Sequence, residues 1–234
     1  MATTYVRSYA KENQVNLFRN MYGWMSMALL ISAFAALAMS RLIETSVAMQ
    51  QFLLQGSGMM VLIVVEIVAV LAFTFGLRKF SFGTLTGLFI LYSVLNGVTL
   101  FPLLMLYTQE SVISTFLITA GAFGTMAVYG SITRRDLSSL GSICFMALIG
   151  LIIATIVNIF VQSSTMGYIV SYAGVLIFSG LTLFDSWKYK KLISAYDGEL
   201  TDEVRKIALM GSFELYLDFV NMFIYLLRIL GNRK

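Results

Sequence analysis

The chain has 234 residues, of which 59% are hydrophobic and only 12% are charged, about half the charged fraction of a soluble domain. One soluble core cannot absorb that much apolar side chain, so the bilayer is the expected second solvent. The net charge of +4 comes with no basic patch interleaved with aromatic residues, which excludes nucleic acid as a partner.

The chain has no histidine and a single cysteine, Cys144. An internal disulfide, a thiolate cluster and the usual zinc ligands are therefore excluded. No phosphate-binding glycine loop and no nucleophile elbow is present. We expect no cofactor and no enzyme active site, and any proton sensing must use carboxylates.

Residues 1–20 are polar, mixed in charge and unlike a secretory signal. Seven apolar runs follow, each near or above the ~20 residues that a helix needs to cross the hydrocarbon. Because a backbone in lipid must satisfy its own hydrogen bonds, each run is predicted to be a helix. Pro102 predicts a kink in the third. The runs are Met21–Ser40, Met59–Leu77, Phe82–Tyr107, Ser111–Ser131, Ile143–Gln162, Met166–Trp187 and Ile207–Leu230.

The prediction is an all-α integral membrane protein in which residues 1–20 form a polar cytoplasmic segment and residues 21–234 form one seven-helix transmembrane domain. Lys and Arg place the N-terminus in the cytoplasm. Twelve of the 16 basic residues are then inside: Arg7, Lys11, Arg19, Arg78, Lys79, Arg134, Arg135, Lys188, Lys190, Lys191, Arg205 and Lys206.

The four exceptions to this rule are Arg41, Arg228, Arg233 and Lys234, three of them at the C-terminus. Seven crossings put this tail outside, whereas a re-entrant last run would put it inside. The last run is long enough to span, so we predict seven crossings.

Four acidic residues lie inside the predicted spans: Glu66, Asp185, Glu214 and Asp218. A charge at mid-bilayer costs at least ~2.5 kcal/mol, so such groups normally face the protein interior and pair. A rise of ~1.5 Å per residue puts Asp185 near the inner end of the sixth helix and Asp218 at about the depth of Glu66. Three acids cannot neutralise one another as anions. Protons, a cation or a basic partner must therefore balance their charge. We predict that Arg78 supplies a counter-charge at the inner mouth.

The seventh run carries one polar stripe with spacings of three or four residues, which predicts a central helix wrapped by the other six. Polar residues can also hold membrane helices together. We prefer that interpretation for Asn96 and Asn158, leave both open for Glu66, and favour function for the other three acids. The stripe consists of Gly211, Glu214, Asp218, Asn221 and Tyr225.

Two segments, Gly180–Leu192 (GLTLFDSWKYKKL) and Leu215–Lys234 (LYLDFVNMFIYLLRILGNRK), are the most distinctive. Together with Gly130–Gly150 (GSITRRDLSSLGSICFMALIG) they resemble the Bax-inhibitor (transmembrane Bax inhibitor motif) family, specifically its short bacterial branch. The Leu-Tyr-Leu-Asp-Phe stretch is the most specific, and the similarity runs from about Met21 to the end.

The resemblance implies a seven-helix bundle with a central last helix and a pH-sensitive calcium leak. It implies that Asp185 and Asp218 form a proton-sharing pair. It also implies that Arg78 acts as a latch by binding Asp185. Glu66 matches an acidic position of some relatives. Glu214 departs from the small polar residue common at its position in bacterial relatives, which adds a third acid beside the pair.

The leading hypothesis is a pH-sensitive calcium leak channel gated by Asp185, Asp218 and Arg78. Calcium prefers several oxygen ligands. Asp185 and Asp218 would bind it transiently, with Glu214, Glu66 and Asn221 along the cation pathway. Nearby carboxylates resist being ionised together, so the cluster can sense protons as a set. The direction of the pH response stays open.

A regulatory protein that binds a membrane protease through residues 1–20 is the alternative. An intramembrane aspartyl protease is disfavoured, because Leu217 and not glycine precedes Asp218. The expected partners are the lipid bilayer, calcium, protons and, in the alternative, that protease. The compact chain suits a bacterial inner membrane, with an organelle as the open alternative.

Overall fold

The structure is a computed structural model that describes the backbone of residues 2–195 and 201–234, with side chains for all of these except residues 2–11 and 55. Within this part of the chain the structure is helical and contains no strand. The seven long helices are α1 (Ala2–Thr45), α2 (Gly58–Gly76), α3 (Phe82–Leu106), α4 (Gln109–Ile132), α5 (Ser138–Val161), α6 (Ser164–Ser194) and α7 (Asp202–Leu230).

All seven helices are long and apolar enough to cross a membrane, which confirms the predicted all-α membrane protein with seven spans. A single turn (Val47–Gln50) and a π turn (Gln51–Gln55) join α1 to α2. Pro102 lies inside α3, in its last turns.

Several helices extend beyond their apolar runs. Residues 2–20, predicted as a separate polar segment, are helical and continuous with the first span, and Leu17 within them is only 2% exposed. The sixth helix continues to Ser194 and the seventh starts at Asp202. Hydropathy detects only the lipid-crossing part of a helix, whereas residues such as Lys and Glu continue a helix into water.

The surface of the helices is far more apolar than that of a soluble protein. The buried residues of α5 are Gly141, Cys144 and Leu151, while Met146 and Phe160 are 66% and 82% exposed. Such an apolar exterior suits lipid. The interior combines a large set of buried apolar residues with a smaller set of small polar side chains, among them Ser93, Thr115, Thr119, Thr182, Ser186 and Ser212.

Among the described residues, one compact unit comprises residues 2–107, residues 201–213 and Lys234. In this unit α3 packs against both α1 and α2. The Ser32 hydroxyl donates to the Ser93 carbonyl oxygen at 2.7 Å, and a Cβ at Gly97 would overlap the Ser32 carbonyl oxygen. Glycine at this position therefore allows the backbones of α1 and α3 to approach closely.

The other compact unit comprises Thr108–Ala195 and Glu214–Arg233. Here α6 packs against α4 and α5. A Cβ at Gly130 would overlap the Leu183 carbonyl oxygen, and one at Gly180 would contact the Cys144 sulfur at 2.5 Å. Cys144 is a buried free thiol, as expected of a small packing residue in an apolar run.

The C-terminal tail is held at the connection between α3 and α4. The Asn232 carbonyl oxygen accepts from the Thr108 N–H, at 3.0 Å. The Asn232 N–H donates to the Ser111 hydroxyl, also at 3.0 Å, and Lys234 Nζ donates to the Leu104 carbonyl oxygen at 3.0 Å. A cation at the C-terminus of α3 interacts favourably with the helix dipole. The tail therefore lies at the α3–α4 end, as seven crossings require.

The last helix is the most buried of the seven. In the most apolar window of α7, 61% of the residues are buried, against 11–33% in the other six spans. This burial is compatible with the predicted central position, which itself stays a prediction.

Candidate functional site

The polar stripe of α7 faces α6 within one unit. Tyr225 stacks on Phe178 with ring centroids 6.0 Å apart, and its ring occupies the space that a Cβ at Gly174 would need. Asp218 interacts with Thr182, about one turn further along α6. Glu214 meets Lys188 still further along. The helices are thus antiparallel, and the stripe points inward as its spacing predicts.

The acidic cluster, which consists of Asp185, Glu214 and Asp218, also contains a lysine. The Lys188 ammonium is 2.6 Å from Glu214 Oε2 and 3.6 Å from Asp185 Oδ1. The side chains of Lys188, Glu214 and Asp185 are 33%, 23% and 11% exposed. The group is therefore largely shielded from water, and Lys188 is its most exposed member.

Aromatic side chains complete the surroundings of the Lys188 ammonium. Its Nζ lies 4.7 Å from the centroid of the Tyr189 ring and 5.9 Å from that of Phe184. The Tyr189 hydroxyl also hydrogen-bonds Glu214. Cation–π contacts add to the attraction of the carboxylates, so the ammonium is held at one position between the two helices.

Asp218 is the deepest acid of the cluster. It is 4% exposed, and its Oδ2 is fully buried with no hydrogen-bond partner among the described residues. It interacts electrostatically with Asp185, Glu214 and Lys188. An unpartnered buried carboxylate oxygen is costly, so this site calls for a proton, a water molecule or a cation.

The hydroxyl of Thr182 lies next to Asp218. It donates to the Phe178 carbonyl oxygen of its own helix at 2.8 Å and also interacts with Asp218. Thr182 is fully buried, so this contact joins α6 to α7 in the interior of the unit.

Glu66 belongs to a separate polar cluster in the other unit. The Thr99 hydroxyl donates to Glu66 Oε1 at 2.7 Å, and the Asn96 side chain hydrogen-bonds the same carboxyl. Asn96 therefore links α2 to α3, as its predicted role between helices requires. Asn158 instead accepts from the Ser163 N–H at 3.1 Å, so it closes the α5–α6 turn.

Two further residues of the predicted site are Asn221 and Arg78. The Asn221 amide donates to the Leu217 carbonyl oxygen of its own helix at 2.8 Å, which leaves the amide oxygen for another partner. Arg78 is an exposed residue in the turn after α2. Its predicted latch to Asp185 stays a prediction.

Lys188 is the site residue that sequence reasoning missed. It was counted only as a charge that orients the protein in the membrane. The signal was nevertheless present, because Asp185 and Lys188 are three residues apart and so share a helix face. The apolar run predicts that the sixth helix ends at Trp187. Lys188 therefore falls one residue beyond the predicted helix, and its shared face with Asp185 is not apparent from that run.

The described residues contain no group of three or more His, Cys, Asp or Glu side chains arranged to hold a metal ion. Within the acidic cluster the Lys188 ammonium instead forms ion pairs with two of the carboxylates, those of Glu214 and Asp185. The cluster therefore already contains one tethered positive charge.

Comparison with known proteins places the chain among membrane proteins. The model of a family described as "Inhibitor of apoptosis-promoting Bax1" matches residues 14–234. The chain is 41% identical to the inner membrane protein YbhL of Escherichia coli, over 91% of this chain and 90% of that protein. It is also 41% identical to an uncharacterized protein of Borreliella burgdorferi, over 96% and 97%.

Proposed function

The chain belongs to the Bax inhibitor family of membrane proteins, and we propose that it is a pH-sensitive calcium leak whose gate is the acidic cluster between α6 and α7. Because the similar YbhL protein is named an inner membrane protein, we place this chain in a bacterial inner membrane, with its N-terminus in the cytoplasm.

The observation that carries the proposal is the unpartnered Oδ2 of Asp218, buried among the described residues beside two further acids and one lysine. Asp185, Glu214, Asp218 and Lys188 together carry a charge of −2 when all are ionised. Two protons or one Ca²⁺ would neutralise them. Protons and calcium therefore compete for the same carboxylates, which makes an ion leak at this site sensitive to pH.

The closed state holds one shared proton and the Lys188 ammonium within the cluster. Loss of the proton increases the repulsion between Asp185 and Asp218, which lie on different helices, and favours their separation. Calcium can then use the freed carboxylate oxygens as transient ligands. Transient binding suits conduction, since an ion that is bound too tightly does not leave.

The test is calcium uptake into liposomes that contain the purified full-length protein, measured over a range of pH. We expect uptake above that of empty liposomes, and Asp185→Asn and Asp218→Asn should each change its pH dependence. Asp202→Asn is the matched control, because the Asp202 side chain is 67% exposed at the start of α7. Uptake that is unchanged in both cluster variants would refute the proposed gate.

Glu66 tests how far the pathway extends. Glu66→Gln retains an oxygen that can accept from Thr99, so the protein should remain folded. A lower flux with unchanged pH dependence would place Glu66 on the cation pathway but outside the gate. An unchanged flux would leave Glu66 a purely structural link between α2 and α3.

The alternative, binding of a membrane protease through residues 1–20, also stays a prediction. Leu17 is buried in the unit that holds α1, so deletion of the segment would disturb packing as well as any interface. Charge reversal at the exposed Glu12 and Arg19 separates the two effects. Loss of protease binding with normal folding and normal calcium uptake would support the alternative.

A further inference from the structure

The unit that contains α1 has a cavity of about 600 Å³ whose walls come from α1, the start of α3 and the start of α7. Its described lining residues include neither Glu66 nor any residue of the acidic cluster, and it takes no part in the proposed leak. Its size is within the range of roughly 300–1,000 Å³ that is usual for ligand pockets. One side opens to the surroundings of the protein.

One end of the cavity is basic. Arg19 and Arg205 both line it, together with the amide side chains of Asn16 and Asn20. None of the described lining residues is acidic. Asp202 lies 3.9 Å from Arg205, but it is two-thirds exposed to solvent, so it offsets little of the arginine charge. Two guanidinium groups and two amides form a donor set that suits a phosphate group.

The other end of the cavity is apolar and aromatic. Trp24, Met27 and Phe82 line this end, and the rings of Trp24 and Phe82 meet edge to face with centroids 6.5 Å apart. Along α1 the distance from Asn16 to Met27 is about 17 Å at 1.5 Å per residue. The cavity therefore changes from cationic to apolar along the axis of a membrane-spanning helix.

We propose that this cavity binds an anionic phospholipid. Arg19 and Arg205 would contact the phosphate, Trp24 would lie at the level of the glycerol, and the acyl chain would follow Met27 and Phe82. Both arginines fall on the side predicted to be cytoplasmic, where basic pockets between membrane helices bind anionic head groups. A soluble phosphate shares the anionic group but has nothing to occupy the apolar end.

Tryptophan fluorescence tests the proposal directly. The chain has two tryptophans, and Trp187→Phe leaves Trp24 as the single reporter at the cavity. The protein is reconstituted in phosphatidylcholine vesicles that contain a small fraction of brominated phosphatidylglycerol or of brominated phosphatidylcholine. We expect brominated phosphatidylglycerol to quench Trp24 preferentially, with a relative affinity at least several times that of the zwitterionic lipid.

The variants assign this preference to the two arginines. Arg19→Gln with Arg205→Gln should lower the relative affinity about thirtyfold. The matched control is Arg134→Gln with Arg135→Gln, which removes the same charge from an exposed loop and should leave the preference intact. If the glutamine variant fails to fold, Arg19→Lys with Arg205→Lys replaces it in the test. This variant keeps the charge and should retain part of the preference for the anionic lipid.

Three results would overturn the assignment. Equal quenching of Trp24 by the two brominated lipids would show that no anionic lipid is selected. An equal loss in the Arg134 and Arg135 control would assign the effect to overall charge. Displacement of brominated phosphatidylglycerol by millimolar inorganic phosphate would make the cavity a site for soluble phosphate.

Discussion

Replacement of Lys188 by methionine is the sharpest perturbation of the acidic cluster. Methionine keeps the length of the side chain but removes the ammonium that lies 2.6 Å from Glu214 Oε2 and 3.6 Å from Asp185 Oδ1. The charge of the fully ionised cluster then changes from −2 to −3. We expect the variant to be less stable than the parent.

The size of the effect follows from how far the pair is shielded from water. Removal of one partner from a fully buried ion pair costs about 3–5 kcal/mol, whereas an exposed pair contributes about 0–1 kcal/mol. The side chains of Lys188 and Glu214 are 33% and 23% exposed, which places this pair between the two limits. We expect a loss of about 2 kcal/mol, or roughly 5 °C in Tm for a chain of this size.

The assay is thermal unfolding of the detergent-solubilised protein, measured with and without calcium and over a range of pH. The loss in Lys188→Met should be largest at alkaline pH, because acid protonates the carboxylates and reduces their repulsion. Calcium should restore the variant more than it stabilises the parent. A calcium concentration of 100 times Kd restores about 2.7 kcal/mol.

Lys191→Met is the matched control. Lys191 is an exposed lysine of the same helix, with its Nζ 5.0 Å from the Trp187 ring centroid. An equal loss in both variants, with no restoration by calcium in either, would refute the role of Lys188 as the resident counter-ion. Lys188→Arg should retain most of the stability, since it keeps the positive charge.

Two further predictions concern packing and a loop carboxylate. Gly130→Ala should destabilise the protein by about 1–3 kcal/mol in thermal unfolding, because the new methyl overlaps the Leu183 carbonyl oxygen. The control is Gly121→Ala, which should be neutral because the space at its Cβ is open. Equal losses of stability in the two variants would contradict this steric cause. The Ser138 hydroxyl and N–H hold the pKa of Asp136 below its ordinary value of 3.8, so this contact is intact above that pH and is lost as the pH falls through the folded pKa. Asp136→Ala should therefore speed hydrogen exchange at the Ser138 amide at neutral pH, and unchanged exchange would contradict the contact.

The membrane architecture was predictable from local features of the sequence. Seven apolar runs mark the seven spans because the cost of a polar residue in lipid acts residue by residue. The inward stripe of α7 was also predictable from a local feature, because helical spacing alone puts Glu214 and Asp218 on one face. The position of the C-terminal tail was predictable as well. Asn232 and Lys234 lie at the α3–α4 connection, as seven crossings require.

Which charges pair was decided only by the tertiary structure. Lys188 and Glu214 are 26 residues apart, and only the antiparallel packing of α6 and α7 brings them together. The same holds for Glu66, which is 33 residues from Thr99 and pairs with it across α2 and α3. Hydropathy reports the depth of a charge along its own helix, but a partner is set by the rotation and register of two helices, which depend on packing across the whole interface.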